Sequence, residues 1–411
     1  MPCEISQIVK QIPLYRELYG PSIEAFDLAS NYHAYPPIEK SDVARNFPNN
    51  WMTESLRAAV KNGEVEYNAS SGTTSERMQI VRKPKWWAFE NRSTYAFDER
   101  LAKLNTDSHR KMVLTTAICS NTVCFAKLPS LEERIMGQTL YLNISPDPNS
   151  WQQEDIERMV DEINHWKPHI FDVDPVYFAL FCKLKGQFGL RTTIHRPDII
   201  IYTYEYVTRF AKAMCDEHFP YVPTIEFYGS TETGYNLFST PSGGYFHVQD
   251  RCFIDCEHVE RDIYSIKITS WKNRFMPLVN YRIKDLCRLS EEEAKPTRER
   301  NGQPLRVKQL CGRLFDTAKG RNNSLITVGD IELALSPLAL PISLYQLRFL
   351  GEELCQFKYV SKNSAPLSQQ EEALLREVLI PLLRENTALR FSSEKSISPE
   401  ISGKFAVIKK G

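Results

Sequence analysis

The chain has no excess of charge of either sign, since 51 Lys and Arg stand against 51 Asp and Glu in 411 residues. No net field therefore favours a polyanion, which argues against nucleic acid and for a small molecule or a protein as partner. No apolar run approaches the length of a membrane span. The opening residues, Met1-Pro2-Cys3-Glu4, carry neither a basic nor an apolar leader segment, so no secretory leader is expected. The 10 cysteines are scattered, with no Cys-x-x-Cys pair and no dense short framework, the pattern of reduced thiols in a cytoplasmic protein. Internal repeats and low-complexity tracts are absent. So is the Walker phosphate loop, because Gly, four residues, then Gly-Lys-Ser/Thr occurs nowhere. No feature of the sequence specifies an oligomeric state.

Against these absences stand four short segments in order along the chain. They are Ser70-Ser71-Gly72-Thr73-Thr74, Tyr228-Gly229-Ser230-Thr231-Glu232, Tyr281-Arg282-Ile283-Lys284-Asp285, and Gly312-Arg313 followed much later by Gly403-Lys404. The first offers a Gly-containing backbone whose N–H groups can converge, together with several hydroxyl donors, as a polyphosphate requires. Taken alone it reads equally well as a polar surface turn. In combination the segments outline a nucleotide site.

At 47.5 kDa the chain is long enough for two or three domains. From Ser150 to Glu232 helical and strand periods alternate. Ser150 and Gln153 have capping-box spacing, and Ile156, Met159, Val160, Ile163 and Trp166 then recur at helical intervals. His169–Val173, Asp198–Tyr202 and Pro223–Phe227 read as buried strands, separated by helices opening at Pro175 and carrying Val207, Phe210, Ala211 and Met214. This order implies crossover units and a mostly parallel sheet, with Tyr228–Glu232 leaving the carboxyl end of a strand, where ligands bind in open α/β sheets. From Gly243 to Leu289 shorter alternating runs suggest antiparallel strands, and Ser290–Pro304 reads as a loop. Past Arg313 a compact α+β unit is expected. Its clearest helix starts at Ser368, with Glu371 at box spacing, and ends or bends at Pro381.

In this order, and with Pro13-Leu14-Tyr15-Arg16 near the start, the segments resemble the adenylate-forming superfamily of acyl-CoA synthetases, luciferases and peptide-synthetase adenylation domains. Within it the chain is most similar to the short phenylacetate–CoA ligase branch. The resemblance implies an α/β fold with a large N-terminal domain, residues 1–313, of mostly parallel sheets plus a β-rich subdomain. A small mobile α+β C-terminal domain, residues 314–411, carries the catalytic lysine. It also implies ATP-dependent activation of a small carboxylic acid to an acyl-adenylate, then transfer to a thiol, with CoA as default acceptor and a carrier-protein phosphopantetheine or an amine as alternatives.

Residue by residue, the resemblance gives Ser70, Ser71, Gly72, Thr73, Thr74 and Thr231 to the ATP phosphates and Glu232 to Mg²⁺. Asp285 and Arg313, with Tyr228 and Gly229, fall to the ribose and AMP. Lys404 stabilises the charge that develops during adenylation. Each role suits its residue type: a carboxylate with phosphate oxygens suits Mg²⁺, paired acceptors suit two ribose hydroxyls, and a planar guanidinium fork suits two oxygens. The residues alone also allow plainer readings, a solvated loop carboxylate for Glu232, surface ion pairs for Asp285 and Arg313, and a solvated basic tail for Lys404.

Several positions depart from the family pattern. Ser75 stands where a second Gly is usual, Arg77-Met78 replace the usual loop ending, and Phe315 follows the hinge-adjacent Gly-Arg. These departures motivate the alternative of a non-catalytic nucleotide-binding scaffold with a degenerate phosphate loop. Tyr202-Thr203-Tyr204 precede Glu205 where relatives commonly carry Gly and Ala, implying a reshaped pocket. With Tyr228 and Tyr235, Tyr202 and Tyr204 favour an aromatic acid over a long alkyl one. His247, Cys252, Cys256 and His258 cluster in sequence as zinc ligands do, but without a standard spacing. Strand alternation instead puts Cys252 and Cys256 in the core. Trp86 and Trp87 are expected to anchor the helix after the phosphate loop.

Overall fold

The computed structural model describes residues 2–69, 78–104, 108–117, 129–145, 147–297, 299–300 and 303–411. Its contacts divide the chain into two compact units, Met1–Lys103 with Tyr228–Gln309, and Leu104–Phe227 with Leu310–Gly411. The whole is mixed α/β, with parallel strands in its large sheet and separate β-rich and α+β regions.

In the first unit the N-terminal helices pack on a β-rich body. Pro13 opens the helix Pro13–Tyr19, where its missing N–H costs nothing and its fixed φ fits. The Tyr15 hydroxyl donates to the Pro277 carbonyl at 2.8 Å and accepts from the Val279 N–H at 2.9 Å, pinning this helix to the strand Leu278–Arg288. Cys252–Glu260, Ile263–Ser270 and Leu278–Arg288 form the antiparallel meander that the alternating runs predicted. Tyr15, Trp51, Ile80, Leu278 and Tyr281 share one core.

The second unit carries the parallel strands. Thr224–Glu226 of the strand Thr224–Ser230 pairs with Ile200–Tyr202 of the strand Ile199–Tyr202, followed in order by Ile170–Val173, Lys111–Leu114 and Thr139–Tyr141, all parallel. Ile135–Met136 closes the edge antiparallel. The strands Ile170–Val173 and Ile199–Tyr202 are buried throughout, as strands covered on both faces must be. Helices Gln153–Trp166, Pro175–Gln187 and Arg209–His218 supply the cover, and Ile156, Met159, Val160 and Ile163 face the core as their spacing predicted.

The capping of Gln153–Trp166 differs from expectation. Gln152 and Asp155 make the reciprocal box, while Ser150 ends a short 3₁₀ turn and donates its hydroxyl to the Asp147 carbonyl. Asp147 is itself a turn-forming acceptor, and it captures Ser150 before the helix begins. The Ser368–Glu371 box is present, and the helix Gln369–Leu379 gives way to a 3₁₀ turn at Ile380–Leu382, where Pro381 lacks the N–H a further turn needs.

Residues past Arg313 form an α+β layer within this second unit. Its sheet runs Ala388–Ser393, Leu354–Ser361, Ile342–Leu350, Ile408–Lys410, and its core is largely its own. It is fastened to the helix Arg209–His218 by Glu332, which accepts from the Arg209 N–H at 2.9 Å and from the Tyr345 hydroxyl. Phe210 adds an edge-on ring contact with Tyr345 at 5.8 Å.

Candidate active site

The strand Thr224–Ser230 enters the first unit at Tyr228, runs into a turn at Thr231–Thr233 and returns as Gly234–Ser239. Gly229 makes the return possible, because a Cβ there would lie 2.3 Å from the Gly234 carbonyl oxygen. Two tyrosine–carboxylate bonds then set the polar groups of this loop. The Tyr228 hydroxyl donates to Asp285 Oδ2 at 2.8 Å, and the Tyr281 hydroxyl donates to Glu232 Oε1 at 3.0 Å. Burial, then the accepting carboxylate, pushes both phenols well above their usual pKa, so they remain donors. Glu232 Oε2 has no partner among the described residues, leaving one carboxylate oxygen available to a cation.

Arg82 escaped the sequence reading, in which it is only the basic residue ending the run Gln79-Ile80-Val81. It is 1% exposed, and its guanidinium donates to Asn68 Oδ1 at 2.8 Å and to the Thr231 carbonyl at 3.4 Å. It also lies over Trp86 and Trp87, at 4.8 and 5.3 Å from the ring centroids. Trp86 is anchored in turn by its indole N–H to the Lys272 carbonyl, which is the structural role expected for this pair. Residues 70–77, with Ser70, Ser71, Gly72, Thr73, Thr74, Ser75 and Arg77, lie outside the described residues. The strands on either side, Glu66–Ala69 and Gln79–Arg82, pair antiparallel with Ala69 opposite Gln79. Arg82 thus ties the base of that hairpin to the Thr231 turn.

In the second unit, the tail Ser402-Gly403-Lys404-Phe405 returns to the carboxyl ends of the parallel strands. Gly403 has φ +82°, and a Cβ there would lie 2.1 Å from Thr116 Oγ1, so only glycine fits. Its carbonyl accepts from the Tyr177 hydroxyl at 2.9 Å. Lys404 Nζ donates to the Tyr204 carbonyl at 2.6 Å, and the Phe405 N–H donates to Glu205 Oε1 at 2.8 Å. Tyr204 takes a left-handed backbone, φ 75°, just after the strand ends at Tyr202.

Two carboxylates accompany this lysine. Asp174 caps the helix Pro175–Gln187, accepting from the Val176 and Tyr177 N–H groups, and is 1% exposed. Burial pushes its pKa up to about 7, against the pull of those N–H groups and of Lys404. Burial also raises the Glu205 carboxyl well above the usual range, Asp174 adds to the rise, and Lys404, the Phe405 N–H and Arg313 oppose it. Asp174, Glu205, Arg313 and Lys404 therefore form one electrostatic cluster. Arg313 additionally lies over the Phe315 ring at 5.5 Å. The resemblance singles out Lys404 and Arg313 in the sequence but leaves out Asp174, whose signal is its position just before the Pro175 that opens a helix.

The remaining candidates sit elsewhere. Tyr202 is fully buried in the core, its hydroxyl beside Cys215 and Cys182. Tyr235 packs against Trp87 with ring centroids 5.5 Å apart, and its N–H donates to buried Glu90. His247 lies 3.3 Å from the Cys252 thiol, while His258 Nε2 lies 3.0 Å from the Arg261 carbonyl oxygen. Burial lowers the His247 pKa to about 3 and raises that of Cys252 to about 11, so both are neutral core groups. Among the described residues no three His, Cys, Asp or Glu side chains are grouped to hold a metal ion. No described helix is long and apolar enough to cross a membrane.

No protein-family model and no curated protein sequence matches this chain. Among solved structures the likeness is to adenylate-forming ligases, and the chain has their fold. A 2-hydroxyisobutyryl-CoA ligase, solved in the postadenylation state in complex with R3-HIB-AMP, is 14% identical with a TM-score of 0.68, over 100% of this chain and 89% of that one. The anthranilate CoA ligase AuaEII, in complex with anthranoyl-AMP, is 12% identical with a TM-score of 0.53, over 80% and 63%. The amide bond synthetase McbA from Marinactinospora thermotolerans is 10% identical with a TM-score of 0.54, over 83% and 67%.

Proposed function

We propose that the protein activates a small carboxylic acid with ATP and transfers the acyl group to a thiol. A carboxylate oxygen attacks the α-phosphorus and pyrophosphate leaves, giving the acyl-adenylate. A thiolate, most simply that of CoA, then attacks the acyl carbon and AMP leaves. The observation that carries this reading is the insertion of Lys404 at the carboxyl ends of parallel strands, its ammonium on the Tyr204 carbonyl and the flanking Gly403 and Phe405 held by Tyr177 and Glu205.

Within the proposal, Lys404 and Arg313 supply cationic donors where negative charge grows during adenylation, the effect that dominates such steps. Asp285, oriented by Tyr228, accepts the ribose hydroxyls, and Ser70–Thr74 with Thr231 hold the phosphates. Glu232 fits a Mg²⁺ ion that draws its other ligands from phosphate and water, since a single carboxylate with one available oxygen is the donor set present. Bound there, the ion would neutralise phosphate charge. Residues 314–411 act as the small C-terminal domain of the phenylacetate–CoA ligase-like branch, moving Lys404 to and from the nucleotide. Tyr204 and Tyr228 favour an aromatic acid. An amine acceptor is the second reading, favoured by the likeness to an amide bond synthetase.

ATP–pyrophosphate exchange over a panel of aryl and short aliphatic acids tests the first step. Exchange that depends on one acid supports it. A folded, ATP-binding protein that exchanges with none of them overturns it in favour of a nucleotide-binding scaffold. Mass spectrometry of products formed with CoA or with amines then assigns the acceptor.

A further inference from the structure

The second unit contains a cleft that the proposed chemistry does not use. It encloses about 330 Å³ between the helix Pro175–Gln187 and the α+β layer, where Ser361, Ser364 and residues 393–396 form the far wall. Lys183 projects from the helix into this wall-to-wall space. The residue is only 8% exposed, yet its ammonium has no hydrogen-bond or ion-pair partner among the described residues. Lys395, across the cleft, is also without a partner among them. The single lining carboxylate, Glu394, is engaged by Lys358 at 3.2 Å and by the Ser392 hydroxyl.

The stem of Lys183 is buried, and its ammonium, still in contact with the water of the cleft, is partly desolvated without a counter-charge. Desolvation accordingly lowers the Lys183 pKa from the usual lysine value. The surroundings are those of an anion site. Ser364, which accepts from Gln187 Nε2 at 3.0 Å, and Ser396 bring hydroxyl groups, and Asn149 closes the end of the cleft. Two cations and several hydroxyls suit a tetrahedral dianion better than a single carboxylate.

We infer that this cleft binds a phosphate group, held between Lys183 and Lys395. The volume accommodates inorganic phosphate or the phosphate end of a small phosphorylated metabolite. A bound phosphate bridges the helix whose first turn holds Asp174 and Tyr177 to the layer that carries Lys404. The site thereby tightens the attachment of residues 314–411 to that helix.

Calorimetric titration of the full chain with inorganic phosphate and with glycerol 3-phosphate, at ionic strength held constant with chloride, reads this directly. Saturable binding is expected. Lys183→Met should weaken it about ten- to a hundredfold, the worth of a charge-assisted hydrogen bond. Lys395→Ala should weaken it less, and Lys404→Ala should leave it unchanged. Tighter binding of glycerol 3-phosphate assigns the site to a phosphorylated molecule, and tighter binding of inorganic phosphate to the free ion. In phosphate-free buffer Lys183→Met should unfold at a temperature equal to or above the wild type, because an unpaired charge has been removed. Should Lys183→Met fail to fold, Lys395→Ala, an exposed change, carries the test. No phosphate binding above the chloride control, or binding that survives every lysine variant folded at this cleft, overturns the inference.

Discussion

Replacing Asp174 by Asn removes a carboxyl that the fold holds 1% exposed while keeping a side chain that caps helices well. The Asp174 pKa rises from an ordinary 3.8 to about 7 in the folded chain. The group is thus protonated more readily folded than unfolded. Its contribution is fully present below pH 4 and is lost as pH climbs towards 7, after which both states are ionised and the loss is constant. Each pKa unit is worth about 1.4 kcal/mol, so the rise corresponds to roughly 4 kcal/mol at most, the opposing pull of Lys404 being already part of it. Urea denaturation of wild type and Asp174→Asn from pH 4 to 9 measures it. The variant should match the wild type near pH 4, gain on it between pH 4 and 7, and stay on the order of 2–4 kcal/mol more stable above pH 7. A stability difference independent of pH, or a variant less stable at pH 8, refutes the reasoning.

Three further outcomes follow from the site. Gly403→Ala places a methyl against Thr116 in a left-handed backbone, so the tail should detach and acid-dependent pyrophosphate exchange should fall. Adding Thr116→Ala should restore only part, because the roughly 1 kcal/mol backbone penalty remains. Tyr228→Phe deletes the donor to Asp285, worth about 1.5–3 kcal/mol for a charged acceptor, and should weaken ATP binding at least severalfold in a chain that still folds. Glu232→Gln should raise the magnesium concentration needed for half-maximal exchange. An unchanged magnesium requirement removes Glu232 from the metal site.

Much of the second unit was legible because its signals are local. Buried parallel strands read as short apolar runs, and Pro175 and Ser368 mark helix starts in one or two residues. Lys404 was singled out by the resemblance, whereas the left-handed backbone of Gly403 and its closeness to Thr116 are seen only in the fold. Contacts between distant parts of the chain were not legible. Asp174 meets Lys404 only because a strand end, a helix cap and the tail share one place, and no spacing within the chain encodes that. Tyr202 and Tyr204 look equivalent as neighbours two apart on one strand face. The strand ends at Tyr202 and the backbone turns left-handed at Tyr204, so Tyr202 stays in the core while Tyr204 offers its carbonyl to Lys404. Arg82 was hidden by its place in a short strand, where nothing local announces a bond to the Thr231 turn.

Lys404→Ala compared with wild type in acid-dependent ATP–pyrophosphate exchange reads the proposed role of Lys404 in acid activation. The variant should fold, bind ATP, and lose roughly 100- to 1000-fold in exchange rate, as for removal of a transition-state donor elsewhere. Exchange by the folded variant at the wild-type rate contradicts that role.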